Sequence, residues 1–323
     1  MTGARWLVLF IALATAAVAT LVVGTIDVGI ADATRAIIGR GDETTLFVVR
    51  ELRLPRAALA MLVGAGLGIS GAALQGVLRN PLAEPYLLGV SGGAAVGAVL
   101  AVTLGFAAGL IPIAAFAGAV AAVSVALFVA HATHGRGDPR VLVMAGVVVG
   151  AFANATIMVL LARADVSTVR GALWWMMGSV ANATWAQSAW LAGYLAVGGA
   201  ILVAHGRSLD ALALGEDSAA GLGVEVEGAS RRVYLAASFV AAATVAAAGL
   251  VGFVGLVVPH IARRLGAAGH RALLLSSALV GAVLVVFADL VARVALPPAE
   301  LPLGAVTALL GVPFFLGTLR RLT

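Results

Sequence analysis

Residues 57–76, AALAMLVGAGLGISGAALQG, run for twenty positions without a charge. At about 1.5 Å rise per residue such a helix is about 30 Å long, the thickness of a bilayer's hydrocarbon core. Pro55 stands just ahead, where the first turn of a helix has no use for the missing N–H. Behind it, Arg79, Asn80 and Pro81 forbid continuation. The segment reads as a membrane-spanning helix, and the reading repeats along the chain.

Of 323 residues 62% are hydrophobic and 11% charged, with mean hydropathy +1.10. Soluble domains have about 45–50% apolar and about 25% charged residues, so the chain is an integral membrane protein. Apolar runs near 20 residues, without ten-residue alternation, select helices over a barrel. Spans are expected at 6–24, 57–76, 86–104, 110–131, 141–161, 186–205, 233–251, 272–295 and 303–319. A short or broken one, interrupted by Pro259, is expected at 252–266. The fold class is therefore all-α with about ten transmembrane helices in one domain, 1–323. The Ala-Val-Ala at 17–19 imitates a signal-peptidase site, but its apolar run exceeds the usual h-region of about 7–15 residues, so an uncleaved helix is expected. Residues 26–53 read as a polar extramembrane loop. The 163–184 segment, with Trp174, Trp175 and Trp185, reads as an interfacial aromatic belt.

Cysteine is absent and every basic side chain is arginine. The chain therefore has no disulfide framework, thiol nucleophile, Schiff-base lysine or P-loop lysine, and nucleotide hydrolysis of the P-loop kind must belong to another polypeptide. The arginines are scattered at segment ends, which argues against nucleic acid and for topology signals. With ten spans and the N-terminus inside, twelve of the twenty face the cytoplasm and eight the outside, so both termini are expected in the cytoplasm.

The longest polar interruption is 206–228, GRSLDALALGEDSAAGLGVEVEG. Leu209, Leu212, Leu214, Ala219, Ala220 and Leu222 give it an apolar side. Gly215 breaks the chain, Glu216 and Asp217 suit the positive end of a helix, and Gly221 and Gly223 bracket its stop. A helix of seven or eight residues, roughly 11 Å, neither spans a bilayer nor persists alone in water. It reads either as an ordered loop capping its own helices or as a contact for a soluble partner.

Chemistry at membrane depth is sparse. Asp289 and Arg293, one turn apart, read as a structural ion pair; as a proton relay, Asp289 would be the one carboxylate to serve an ion-coupled transporter. His131, His134, His205, His260 and His270 lie at span ends without metal-ligand spacing, and no serine sits in a nucleophile elbow. Glycines crowd the second and third spans, where small residues let helices pack closely.

Seven blocks, in order, resemble the FecCD family of ABC-transporter permeases. They are RLPR (53–56), GAGLGISGAALQGVLRNPLAEPYLLGVSGGAAVGAV (64–99), WWMMGS (174–179), LALGEDSAAGLGV (212–224), GLVGFVGLVVPHIARRL (249–265), HRALLLSSALVGAVLVVFADLVAR (270–293) and ELPLGAVTALLGVPFFLGTLRR (300–321). The resemblance implies a type II importer permease that dimerises in the bacterial inner membrane. It also implies two cytoplasmic ATPases that hold ATP and Mg, and one extracytoplasmic binding protein; no cofactor is implied in this chain. The cytoplasmic segment 206–230 then carries the coupling helix, with Leu214, Glu216, Asp217, Ala219, Ala220, Leu222 and Gly223 as the ATPase contact. Arg53, Arg56 and Arg293 match arginines that grip the binding protein. The gate matches Asn80, Pro81 and Leu82, together with Gly137 and Asp138, where vitamin B12 permeases have small hydroxyl residues. The fifth span would line the path through Met144, Val148, Ala151, Asn154, Ala155 and Met158. A ferric siderophore or haem is the expected cargo, with cobalamin the alternative.

Overall fold

The computed structural model describes residues 1–24, 26–132 and 139–319. In chain order the helices are α1 (Gly3–Val22), α2 (Ile30–Ile37), α3 (Glu43–Phe47), α4 (Leu54–Val77), α5 (Val90–Thr103), α6 (Ile111–Ala132), α7 (Pro139–Leu161) and α8 (Val166–Met176). They continue as α9 (Trp185–Ala204), α10 (Gly206–Leu212), α11 (Glu216–Gly221), α12 (Val226–Ala248), α13 (Val254–Arg264), α14 (His270–Val294) and α15 (Leu303–Leu319). Among the described residues, seven helical segments are long and apolar enough to cross a membrane, and α5 and α15 are shorter apolar helices. With the short α13 between α12 and α14, these make the ten expected spans.

α4 is the axis of the bundle. It packs against α14, α12, α13 and α9, and 78% of its most apolar window is buried, against 17% for α1. Small residues set this arrangement. A Cβ on Gly64 would stand 2.1 Å from the Gly281 carbonyl oxygen, one on Gly68 2.3 Å from that of Ser277, and one on Gly71 2.0 Å from that of Gly255. Helix backbones therefore touch directly along three successive turns, a contact that lipid-exposed helices of larger residues do not make.

The polar loop expected over 26–53 is instead mostly helical. Val28, Ala33, Ala36, Val48 and Val49 form a small apolar cluster of their own, so α2 is amphipathic, with Asp32 and Arg35 turned to solvent. Asp42 caps α3 by accepting from the Thr45 N–H at 2.8 Å, and a π-helical turn, Val48–Arg53, leads into α4 just ahead of Pro55. A wider turn at that point suits a residue that lacks its N–H.

The expected aromatic belt is also redrawn. Trp174 and Trp185 are half exposed, but Trp175 packs against the core and Gly178, just past the end of α8, is buried. Gly178, with φ near 74°, turns the chain there. Its carbonyl accepts from the Leu303 N–H, and that of Met177 from the Gly304 N–H, both at 3.0 Å. The terminal carbonyls of α8 are thus satisfied by the first N–H groups of α15, as burial away from water requires.

Eleven residues make α13 about 16 Å long, half a bilayer. Its start is an exposed-backbone problem solved by side chains. Glu84 accepts from the Phe253 N–H at 2.9 Å. The Tyr86 hydroxyl accepts from the Val251 N–H at 2.8 Å and donates to its carbonyl at 3.0 Å. Irregular backbone survives at such depth only where protein supplies the missing partners.

Candidate functional site: a short surface helix, a broken-helix loop and a free stripe

α10 and α11 project from the end of the bundle where α4 finishes and α14 begins. α10 is seated by Leu209 and Leu212, both buried, and by Asp210, whose Oδ1 accepts from the His270 N–H and from His270 Nδ1, each at 2.8 Å. An anion at the first turn of α14 also meets the positive end of that helix. Gly215, at φ 108° and ψ 158°, makes the corner into α11 in a region that essentially only glycine enters.

On α11, Ala219 is fully buried in the main apolar core, whereas Leu214 and Leu222 are about two-thirds exposed and Glu216, Asp217, Ala220 and Gly223 are also exposed. This corrects the expected contact at one position: Ala219 faces its own bundle, because a short helix must bury one apolar face to exist at all. Leu214, Ala220 and Leu222 remain as the free apolar face.

Glu216 Oε1 lies 2.7 Å from Arg79 Nη2, which ties α11 to the loop after α4. Arg79 itself sits at φ 50°, a conformation costly for a side-chain-bearing residue by about 1–3 kcal/mol. Next to it, Asn80 Oδ1 accepts from the Leu82 N–H at 2.9 Å, His260 Nε2 donates to the Pro81 carbonyl at 3.1 Å, and Arg263 Nη1 donates to Gln75 Oε1 at 2.8 Å. The Asn80–Pro81–Leu82 loop is therefore held between α11 on one side and α13 on the other. Gly137 and Asp138 lie outside the described residues.

At the opposite end, Arg53, Arg56 and Arg293 are buried, none more than 9% exposed. Arg56 reaches Asp289 Oδ1 at 2.8 Å and Glu300 Oε2 at 2.8 Å. Arg293 Nε stands 3.5 Å from Asp289 Oδ2, and its Nη2 donates to Thr20. Arg53 donates to the carbonyls of Leu21 (2.6 Å), Val22 (3.0 Å) and Ile26. The three positions that the resemblance assigns to docking are turned inward in this chain, where a guanidinium this desolvated has to spend its donors internally. The Asp289–Arg293 pair is structural, as the i,i+4 spacing suggests. All three arginines border a cavity of about 210 Å³ that also takes in half-exposed Glu300.

The expected path residues come together. Met144, Val148, Ala151, Ala155 and Met158 recur every three or four positions along α7, with Asn154 beside them, and all are exposed. The other face of α7, including Ala145, Ala153 and Ile157, is buried. Among the described residues no group of His, Cys, Asp and Glu converges as metal ligands. Reasoning from sequence missed Glu84, Tyr86, Asp210 and the Arg79–Glu216 pair; the charged residues inside RNPLAEP were the visible sign of the first and last of these.

A bundle of ten membrane elements, with an exposed short helix wired to a broken helix at one end and a free stripe along α7, defines a multi-pass membrane permease. The chain belongs to the FecCD transport family, whose model matches residues 4–321. It is 40% identical over 283 residues to the uncharacterized ABC transporter permease protein YvrB of Bacillus subtilis, covering 86% of this chain and 80% of that one. It is 42% identical over 280 residues to the cobalamin import system permease protein BtuC of Halobacterium salinarum, covering 86% and 74%. Its fold superposes with TM-score 0.86 and 30% identity, over 97% of both chains, on an inward-facing ABC transporter assigned to the metal-chelate type. The protein is an ABC importer permease.

Proposed function

We propose that this chain is the membrane subunit of an importer for a bulky metal chelate, with cobalamin first among the candidates. The resemblance alone ranks a ferric siderophore or haem first; the BtuC relatives lend their support to cobalamin. The observation that carries the reading is the exposed stripe of α7. A wall of Met, Val and Ala offers no strong ligand, which suits a large cargo that must leave as well as enter.

In this reading two copies meet across the free faces of α7 and α15, where Leu309 and Leu316 are also exposed, and the cargo passes between them. Two ATPases, which bind and hydrolyse ATP with Mg, seat on Leu214, Ala220 and Leu222. Their closure moves α11, and the Arg79–Glu216 pair passes the movement to the gate loop, giving alternating access. A binding protein delivers cargo at the opposite end, and exposed charges such as Arg50, Glu51 and Glu300 offer it an electrostatic face in place of the buried arginines. The domain spans 1–323 in a bacterial cytoplasmic membrane, with both termini and α11 on the cytoplasmic side.

Uptake into proteoliposomes tests this, with the ATPase and ATP inside, binding protein outside, and labelled cobalamin, ferric siderophore and haem offered in parallel. Cobalamin uptake that needs both ATP and binding protein is expected. Uptake of an iron chelate alone would replace the cargo, and uptake driven by an ion gradient without ATP would overturn the reading.

A further inference from the structure

Away from α7 and the coupling helix, α6, α9 and α12 enclose an apolar cleft of about 640 Å³, within the roughly 300–1,000 Å³ of ordinary ligand sites. On α12 it runs from Arg232 to Ala242. Ten residues of helix are about 15 Å, half the hydrocarbon thickness of about 30 Å, so the cleft is one leaflet deep. Phe239 lies on its wall with its ring tilted against Tyr194 at 5.1 Å, itself 5.3 Å from Phe116.

The few polar groups on its wall are placed unevenly. Arg232 and His205 sit together at the end that carries α10 and α11. Arg232 is exposed, and its nearest carboxylate, that of Glu225, is 3.9 Å away, too far for a hydrogen bond. His205 Nδ1 donates to the Ile201 carbonyl at 2.8 Å, which makes Nε2 the acceptor nitrogen of the neutral ring and leaves Arg232 as the cation at this end. About 9 Å deeper along α12, the Ser238 hydroxyl is buried and has no hydrogen-bond partner among the described residues. The other hydroxyl on the wall, Ser124, is spent on the Val120 carbonyl at 2.8 Å.

We propose that this cleft holds one acyl chain of an anionic glycerophospholipid, its phosphate on Arg232 and its ester carbonyl on the Ser238 hydroxyl. Each part of that ligand answers one feature: a cationic mouth, an orphaned donor a short way in, and an apolar slot that ends at the bilayer midplane. Basic pockets between helices at a membrane surface are where anionic headgroups bind. A partner helix with an apolar face would cover the slot but bring no acceptor to the Ser238 hydroxyl. The lipid comes from the cytoplasmic leaflet by the orientation proposed above; occupancy of the cleft does not depend on the cargo or on coupling.

The test is native mass spectrometry of the full chain ejected from nanodiscs made with equal phosphatidylglycerol and phosphatidylcholine. Wild type is expected to retain phosphatidylglycerol preferentially, one per chain. Arg232→Gln should lower that preference at least about fivefold, the effect of losing a single cationic contact near a membrane surface. Ser238→Ala should weaken retention of both lipids without changing the preference, and unaltered thermal unfolding would show that the variants fold. Equal retention of the two lipids by wild type, or an unchanged preference in Arg232→Gln, would overturn the proposal. So would efficient cross-linking of Ile201→Cys to a second copy or another protein, in a chain that otherwise has no cysteine.

Discussion

Arg79 and Glu216, 137 residues apart in sequence, meet at 2.7 Å and join the broken end of the central helix to the short helix at the surface. Both side chains are about half exposed, so the pair adds at most about 1 kcal/mol to stability. In the proposed mechanism its value lies in transmission. Arg79→Glu and Glu216→Arg are each expected to leave thermal unfolding unchanged while lowering ATP-driven uptake several-fold, and the double reversal to restore it. Unaltered uptake in both single variants would remove the pair from the coupling path.

Neighbouring alanines on α11 should behave oppositely. Ala220 is exposed, so Ala220→Arg is expected to give a folded permease that no longer stimulates or responds to its ATPase. Ala219 is fully buried, and Ala219→Arg places a charge in the core at a cost of about 3–5 kcal/mol. Size-exclusion behaviour separates the two: a monodisperse, inactive Ala220→Arg protein against an aggregated Ala219→Arg protein.

Asp289 holds two guanidinium groups, those of Arg56 and Arg293. Asp289→Ala removes the carboxylate beside Arg293 and leaves Arg56 with Glu300 alone, and the expected loss is about 3–5 kcal/mol of stability. Replacement of Asp289 and Arg293 together by Leu should recover part of it, measured as thermal unfolding in one detergent. A relay carboxylate would instead show its effect in the pH dependence of uptake, with stability intact.

Gly64→Ala drives a methyl to within 2.1 Å of a carbonyl oxygen of α14, and neither backbone has a flexible end to yield. A loss of about 1–3 kcal/mol or more is expected. Gly193→Ala in α9 meets nothing within 4 Å and should be neutral or gain about 0.5–1 kcal/mol. Equal melting temperatures for the two variants would deny that backbone contact fixes the bundle.

Asp165 begins α8, where the Ser167 hydroxyl and the Thr168 N–H and hydroxyl pull its carboxyl from 3.8 down to about 2. A depressed acid contributes stability above its ordinary value and loses it as pH falls through the lowered one. Protection of the α8 amides from hydrogen exchange should therefore persist at pH 4 and decline toward pH 2, whereas Asp165→Ala should lack that protection at every pH.

The sequence already carries what depends on composition and local pattern. Ten apolar runs, the helix at Glu216 and the break at Asn80 and Pro81 are each set by residues within one stretch of chain. The stripe of α7 is legible for the same reason, since Met144 to Met158 repeats at helical spacing. What was hidden is what needs a distant partner. Glu84 answers Phe253 across 169 positions, Arg56 answers Asp289 across 233, and Asp210 answers His270 across 60. Arginines near span ends look the same in sequence whether they reach for solvent or for a buried carboxylate. The helices within 26–53 were missed because the charges of α2 mask the few small residues, Ala33 and Ala36, that anchor it.

The stripe of α7 has a consequence for how such a chain diversifies. Met144, Val148, Ala151, Ala155 and Met158 contribute little to the buried core of their own subunit, and exchanges at exposed positions usually shift stability by no more than about 0.5 kcal/mol. The glycine seam of α4, by contrast, tolerates almost nothing. Mutation is thus channelled toward the wall that the cargo would meet and away from the frame that holds it. Cargo preference is then free to drift across lineages on an unchanged scaffold, as a lock recut without rebuilding the door.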